Sequence, residues 1–215
     1  MKYDFIDIGC GQCSVSSDDY FYGTSAKGLL VEPIEEYCAI LPQSDTVLVE
    51  CVGIGEYDGE KELTVILEGD IIEYVPHKLY KNKKALDRYM KSKNIFHSGT
   101  SSFIGADKIH HKDTYHTRIV KLMSLETLLK KYNISEVDQL KIDVEGYEPI
   151  ILKQLVNLWE NKKFKVNKKL IFECAANFNN NEILIKFANE ISVKFGFKWD
   201  IISDIWDEDI VMEKI

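Results

Sequence analysis

The order of apolar runs along this chain predicts an α/β fold: a mostly parallel, doubly wound sheet with helices between its strands. Three observations carry that expectation. Short apolar runs alternate with segments of helical period. A glycine-rich turn follows the first run directly, and two closing runs stand near enough to pair as a hairpin.

Residues 3–8 read as a buried strand, followed by the turn "GCGQCS" and a short helix over about 14–22 that Gly23 closes. Residues 29–31 form a second strand ending at Glu32-Pro33, "IEEYCAIL" has helical spacing, and residues 46–52 form a third strand. Strands and helices alternating at this interval imply parallel pairing. The regularity then breaks. "GEYDGEKELTVIL" reads as a turn feeding an extra strand, and no clear strand period returns until residues 117–123. The expectation is therefore one domain over 1–215, with an insertion or lid at about 77–121 between the third and fourth parallel strands.

Alternation resumes at Ser124, an N-cap for "LETLLKKYNI", whose Leu125, Leu128, Leu129 and Tyr132 share a face. "QLKIDVEG" is the next strand, and Pro149 suits the first turn of a helix carrying Ile151, Leu152, Leu155 and Trp159. "KKLIFECA" follows as a strand. A helix from about Asn181 places Ile183, Phe187, Ile191 and Phe195 at four-residue spacing and stops at Gly196; residues 199–203 and 210–214 make the hairpin.

Composition narrows the class. At 215 residues and 45% hydrophobic content the chain can bury a sizeable core. No apolar run approaches the length of a membrane span, and Met1-Lys2-Tyr3-Asp4 lacks the apolar stretch of a secretory signal, so a cytoplasmic protein with no membrane partner is expected. Five cysteines, an odd number, argue against a disulfide scaffold; Cys38, Cys51 and Cys174 lie where a thiol packs as a small hydrophobe. The net charge of −8 disfavours a general nucleic-acid binder. It is unevenly spread: residues 77–121 hold eleven Lys or Arg against three Asp, leaving −16 on the rest. The lysines from Lys78 to Lys93 are either a solvated face or a cover that attracts an anionic partner.

"FIDIGCGQCS" admits two chemistries. Cys10 and Cys13 spell C-x-x-C, but only one strand precedes them, Asp7 would disfavour a thiolate, and no second pair completes a zinc tetrahedron, so no metal site is assigned. Asp7-x-Gly9-x-Gly11 at a strand end reads better as a nucleotide cradle, since glycines there let backbone N–H groups approach a ligand. Ser14 stands where a dinucleotide fingerprint needs its third glycine, which removes support for a pyrophosphate. Glu32, 23 positions after Gly9, is placed to accept both ribose hydroxyls of an adenosine.

"FIDIGCGQCS", "LLVEPIEEYCAIL", "CVGIGEYDGEKELTV", "SGTSSFIGADK", "VKLMSLETLLKKYNISEVDQLKIDVEGYEPIILKQL" and "KLIFECA", in this order, resemble the FkbM family of S-adenosylmethionine-dependent methyltransferases, within the Rossmann-like class I methyltransferases. "LKIDVEGYE" with its upstream "SLETLL" is the most distinctive part. The resemblance implies a seven-stranded, mostly parallel sheet with an antiparallel last strand, and S-adenosylmethionine across the carboxyl ends of the first strands. It implies that Asp7, Gly9 and Gly11 line the methionine side, Glu32 with Pro33 the ribose, and Val52 and Gly53 the adenine.

If the methyl acceptor is a hydroxyl, a base must take its proton, and Asp143 and Glu145 end the fourth parallel strand, where open α/β sheets place ligands. Asp143 is the first candidate, as that base or as a partner of the cofactor's ammonium group. Glu145 is the second, or else caps the next helix; His116 is a further base candidate. Ser101 and Ser102 match the family's serine pair and either face the acceptor or cap a helix, and Glu173 ends the fifth strand in the same crevice. The expected activity is methyl transfer to a hydroxyl of a sugar, glycan or small metabolite, including an anionic one. The alternatives are an RNA ribose or cap methyltransferase, suggested by the basic segment, and a noncatalytic S-adenosylmethionine-binding module.

Overall fold

Strand β1 (Lys2–Ile8) is buried on both faces from Phe5 onward, as a central strand of a parallel sheet must be. In the computed structural model, which describes residues 1–11, 25–65, 116–174, 181–203 and 208–215, β1 lies between β2 (Gly28–Val31) and β7 (Glu136–Ile142), both parallel to it. Beyond β2 lies β3 (Val47–Glu50); beyond β7 come β8 (Lys165–Glu173), β10 (Glu208–Lys214) and β9 (Phe197–Ser203). The sheet has seven strands, and β10 runs antiparallel to both its neighbours. The chain moves outward from β1 to β3 and later returns to the other side of β1. The β1/β7 gap is thus the topological switch point, where ligands of open α/β sheets bind.

Between β2 and β3 lies the single turn α1 (Glu35–Cys38), shorter than the helical spacing of "IEEYCAIL" suggests. After β3 come two short strands where one was expected, β4 (Gly53–Gly55) and β5 (Gly59–Val65), and then β6 (His116–Ser124), which pairs parallel with β4. The chain divides into two compact units, Met1–Glu60 with Val120–Ile215, and Lys61–Ile119. The second unit takes in most of the expected insertion, and only its ends fall within the described residues. The expected helix over 14–22 also lies outside them.

Helices α2 (Leu125–Lys131), α3 (Glu148–Glu160) and α4 (Asn181–Phe195) supply one face of the core. Ser124 caps α2 as its sequence suggests, its hydroxyl accepting the Thr127 N–H at 3.2 Å, and Pro149 sits in the first turn of α3. Leu125, Leu128, Ile151, Leu152 and Leu155 pack with Ile6, Ile8, Leu140, Ile142 and Phe172 in one apolar cluster. Full burial of such a side chain contributes about 1.5–3 kcal/mol. In α4 the buried stripe is Leu184, Ala188 and Ile191, whereas Ile183 is exposed. Four-residue spacing drifts around a 3.6-residue helix, so one end of that series leaves the core.

Cys38 and Cys51 are joined by a disulfide, Cα–Cα 5.9 Å, contrary to the reading of both as packed thiols. The β2–α1–β3 crossover brings them together. Their spacing of 13 residues shows nothing of that meeting. Cys10 and Cys174 are buried and form no disulfide among the described residues.

Candidate functional site

At the carboxyl end of β1 the Gly9 N–H donates to the Val31 carbonyl at 2.8 Å, and the Asp143 N–H donates to the Ile8 carbonyl at 2.9 Å. These bonds tie the ends of β1, β2 and β7. Gly9 has φ +82°, and a Cβ there would stand 1.7 Å from the Asp143 carbonyl oxygen. Its bare Cα is therefore needed for approach to the β7 turn, a neighbouring chain segment, where the sequence suggested a ligand. Cys10 packs with Phe5, Leu30 and Leu41, its sulfur 3.7 Å from the Val31 carbonyl, as a small hydrophobe would. Cys13 lies outside the described residues.

Glu32, at the end of β2, is 4% exposed. Its Oε2 accepts the Gly11 N–H and its Oε1 the Ile34 N–H, each at 2.9 Å. Burial pushes its carboxyl up to about 7, against the lowering effect of those two N–H groups, and the charges of Asp7 and Asp143 push the same way as burial. A carboxylate offers about four acceptor sites, so two N–H donors leave capacity for a vicinal diol. Val52 and Gly53 are buried just beyond β3, with Pro33 half-buried beside Glu32. Cys38 Sγ, part of the disulfide, lies 3.1 Å from the Glu32 carbonyl. The bridge thus joins the chain next to Glu32 to the residue before Val52.

The parallel register places Asp7 opposite Lys141, Asp143 lies two residues beyond Lys141 on the same side of β7, and Glu173 on β8 pairs with Asp209 on β10. The Lys141 ammonium stands 2.8 Å from Asp143 Oδ2. Desolvation pulls its pKa down, but the nearby charges of Asp143, Asp7 and Asp209 outweigh that and hold it above the usual lysine range. Carboxylate oxygens of Asp143, Glu145 and Glu173 lie within 4.8 Å of one another. Carboxylates this close repel unless an ammonium, a proton or a cation shares the space. Lys141 supplies one such charge from the chain itself.

The structure thus brings Asp7, Gly9, Gly11, Glu32, Asp143, Glu145 and Glu173 to one end of the sheet, around the switch point. His116 is exposed and begins β6 within the second unit. Ser101, Ser102 and the lysines from Lys78 to Lys93 lie outside the described residues. Glu145 makes no side-chain cap on α3: the N-cap is Tyr147, which carries no side-chain capping bond. Lys141 was not among the expected site residues, although the alternation in "KID" puts it on Asp143's face.

This is the architecture of a Rossmann-like nucleotide-binding fold with an acidic crevice suited to a cationic cofactor. The chain matches the methyltransferase FkbM domain over residues 9–198, and it belongs to that family. It is an S-adenosylmethionine-dependent methyltransferase. Among solved structures, a precorrin-6y C5,15-methyltransferase from Geobacter metallireducens GS-15 aligns with TM-score 0.42 and 10% identity, covering 100% of this chain and 81% of that one. No curated protein matches the chain.

The residues present fit the cofactor. Its sulfonium and ammonium groups need acidic neighbours and its ribose a double acceptor. Buried Asp7 and the half-engaged Glu32 carboxylate offer these at the ends of adjacent strands, with half-buried Asp143 beside them on β7.

Proposed function

We propose that the protein methylates a hydroxyl group on a sugar, glycan or small metabolite, using the crevice at the ends of β1, β2 and β7. The observation that carries this reading is the linked set Asp7, Glu32 and Asp143, which interact electrostatically across three neighbouring strand ends. When bound, S-adenosylmethionine supplies a methyl group on a sulfonium. Glu32 accepts the ribose hydroxyls, Asp7 and the Gly9–Gly11 turn face the methionine portion, and Val52 and Gly53 border the adenine. Methyl transfer is an in-line displacement, so the protein's main contribution is to orient the acceptor and exclude water. Asp143, with its side chain 30% accessible and Lys141 at 2.8 Å, is reachable by an acceptor and takes the hydroxyl proton.

Titration calorimetry with S-adenosylmethionine tests the site: saturable binding is expected, and no heat at millimolar cofactor overturns the reading. Transfer of labelled methyl to a panel of hydroxyl, amine and thiol acceptors tests the acceptor, and transfer to amines or thiols alone overturns the hydroxyl assignment. The surplus of basic residues in 77–121 favours a second reading, an RNA ribose as acceptor. That reading requires RNA binding that weakens steeply as salt rises.

No helix among the described residues is long and apolar enough to cross a membrane. A cytoplasmic location is part of the proposal, and the Cys38–Cys51 bridge pulls against it, since disulfides persist mainly in oxidising compartments. Alkylating free thiols at the moment of cell lysis decides between them: modified Cys38 and Cys51 fit the cytoplasm, protected ones do not.

A further inference from the structure

Between the end of β7 at Ile142 and the start of α3 at Glu148 the chain reverses in five residues while presenting two carboxylates to the crevice. It does so with two consecutive left-handed residues, Glu145 at φ +53° and Gly146 at φ +94°. A side chain with a Cβ rarely adopts that conformation unless its surroundings impose it. The imposing group is Glu148. Its Oε1 accepts the Val144 N–H at 2.9 Å and the Gly146 N–H at 3.2 Å, gripping the backbone on either side of Glu145. Gly9 stands against the Asp143 carbonyl on the other flank.

We propose that Glu148 is a positioning residue for methyl transfer, holding the 143–146 turn in the one conformation that directs Asp143 and Glu145 into the crevice. The proposal rests on the reading of that crevice as the transfer site. A carboxylate serving α3 alone would bond the first N–H groups of that helix. This one also reaches back into the preceding turn. Glu148 is 1% exposed, and burial pushes its carboxyl up to about 7, with the N–H groups of Val144, Glu148 itself and Gly146 opposing and the Asp143 charge reinforcing. Burying such a group is costly unless it is hydrogen-bonded, and here the bonds go to the turn.

Glu148→Gln keeps a carbonyl acceptor for the two N–H groups, and Glu148→Ala removes it. In Glu148→Ala, amide exchange at Val144 and Gly146 should accelerate about tenfold or more while the β1 and β8 amides stay protected. With any acceptor the wild type uses, its kcat should fall about 100-fold, as for a misplaced reacting group, with the cofactor KM changed less than about fivefold. Glu148→Gln should recover at least about a tenth of wild-type kcat, because the acceptor oxygen is restored.

Unchanged exchange, or wild-type kcat, in folded Glu148→Ala overturns the proposal. So does Glu148→Gln with wild-type exchange but 100-fold lower kcat, since the charge rather than the turn would then matter. If Glu148→Ala fails to fold, Gly146→Ala strains the same turn from within: reduced kcat with retained cofactor binding supports the proposal, and wild-type kcat overturns it. Wild-type protein that binds no S-adenosylmethionine sinks the reading of the crevice, whereas the exchange measurement still reports on Glu148's grip.

Discussion

Asp138 and Glu32 are carboxylates at opposite ends of one sheet, both nearly hidden from solvent at 5% and 4% exposed, and they are treated in opposite ways. Asp138 lies toward the amino end of β7. It receives Lys2 at 2.8 Å, Lys168 at 2.6 Å and the Asn167 amide at 3.2 Å. Burial alone would raise its pKa, but those three partners outweigh burial and hold it below the usual range. Glu32, at the carboxyl end of β2, has backbone N–H donors and two further carboxylates in its field, and its pKa is about 7. Glu32 also lies deeper in the fold, so both its desolvation and its partners set it apart from Asp138. At the amino end Asp138 is matched by two lysines of the chain, whereas at the carboxyl end Glu32 is held by backbone N–H groups and Lys141 serves Asp143.

The sharpest way to break this contrast is at Asp143. Asp143→Asn should lower methyl transfer about 10²–10⁴-fold, the range for loss of a general base, measured as S-adenosylhomocysteine formed with a responsive acceptor. Wild-type turnover would place the base elsewhere.

The next largest effect concerns stability and pH. Glu32's folded pKa is raised, so its contribution is fully present below the unfolded value near 4.5 and is lost as pH rises through about 7. Glu32→Gln lacks that loss. Measured by denaturant unfolding, the variant should gain on wild type by about 2.5 kcal/mol between pH 5 and pH 8, at 1.36 kcal/mol per pKa unit. A pH-independent difference would mean the carboxyl is not desolvated.

Glu32→Ala should weaken S-adenosylmethionine binding about tenfold or more with the fold intact, since charge-assisted hydrogen bonds contribute roughly 1.5–3 kcal/mol. Calorimetry showing wild-type affinity would remove Glu32 from the ribose site. The smallest effect is Asp138→Asn, a loss on the order of 1 kcal/mol because both lysine partners are substantially exposed. Its pH dependence runs the other way: the lowered carboxylate pKa makes the wild-type advantage present at neutral pH and lost as pH falls through the folded value. Matching pH slopes for Glu32→Gln and Asp138→Asn would dissolve the distinction between the two ends.

Much of the candidate site is legible residue by residue. Asp7, Gly9 and Gly11 were visible because a glycine turn at a strand end is a local pattern, and Glu32 because its distance from that turn is one strand-helix-strand unit. Asp143 stood out as an acid in an apolar strand. Lys141 and Glu148 are not legible in the sequence, for one physical reason. A lysine beside an aspartate and a glutamate before a proline are ordinary surface letters until the fold buries them. At Gly9 the sequence suggests room for a ligand, whereas the structure sets its Cα against the Asp143 carbonyl.

By itself the sequence determined the alternation of strands and helices, the Ser124 cap, the Pro149 start of α3 and the place of the glycine turn. These depend on φ/ψ preference and side-chain period, which act over a few residues. The tertiary structure alone decided the strand order that sets Asp7 beside Lys141, the meeting of Cys38 with Cys51, the backward reach of Glu148 and the shifted pKa of Glu32. Each of these follows from desolvation or from contact between segments distant along the chain, and both come into being only when the sheet closes around them.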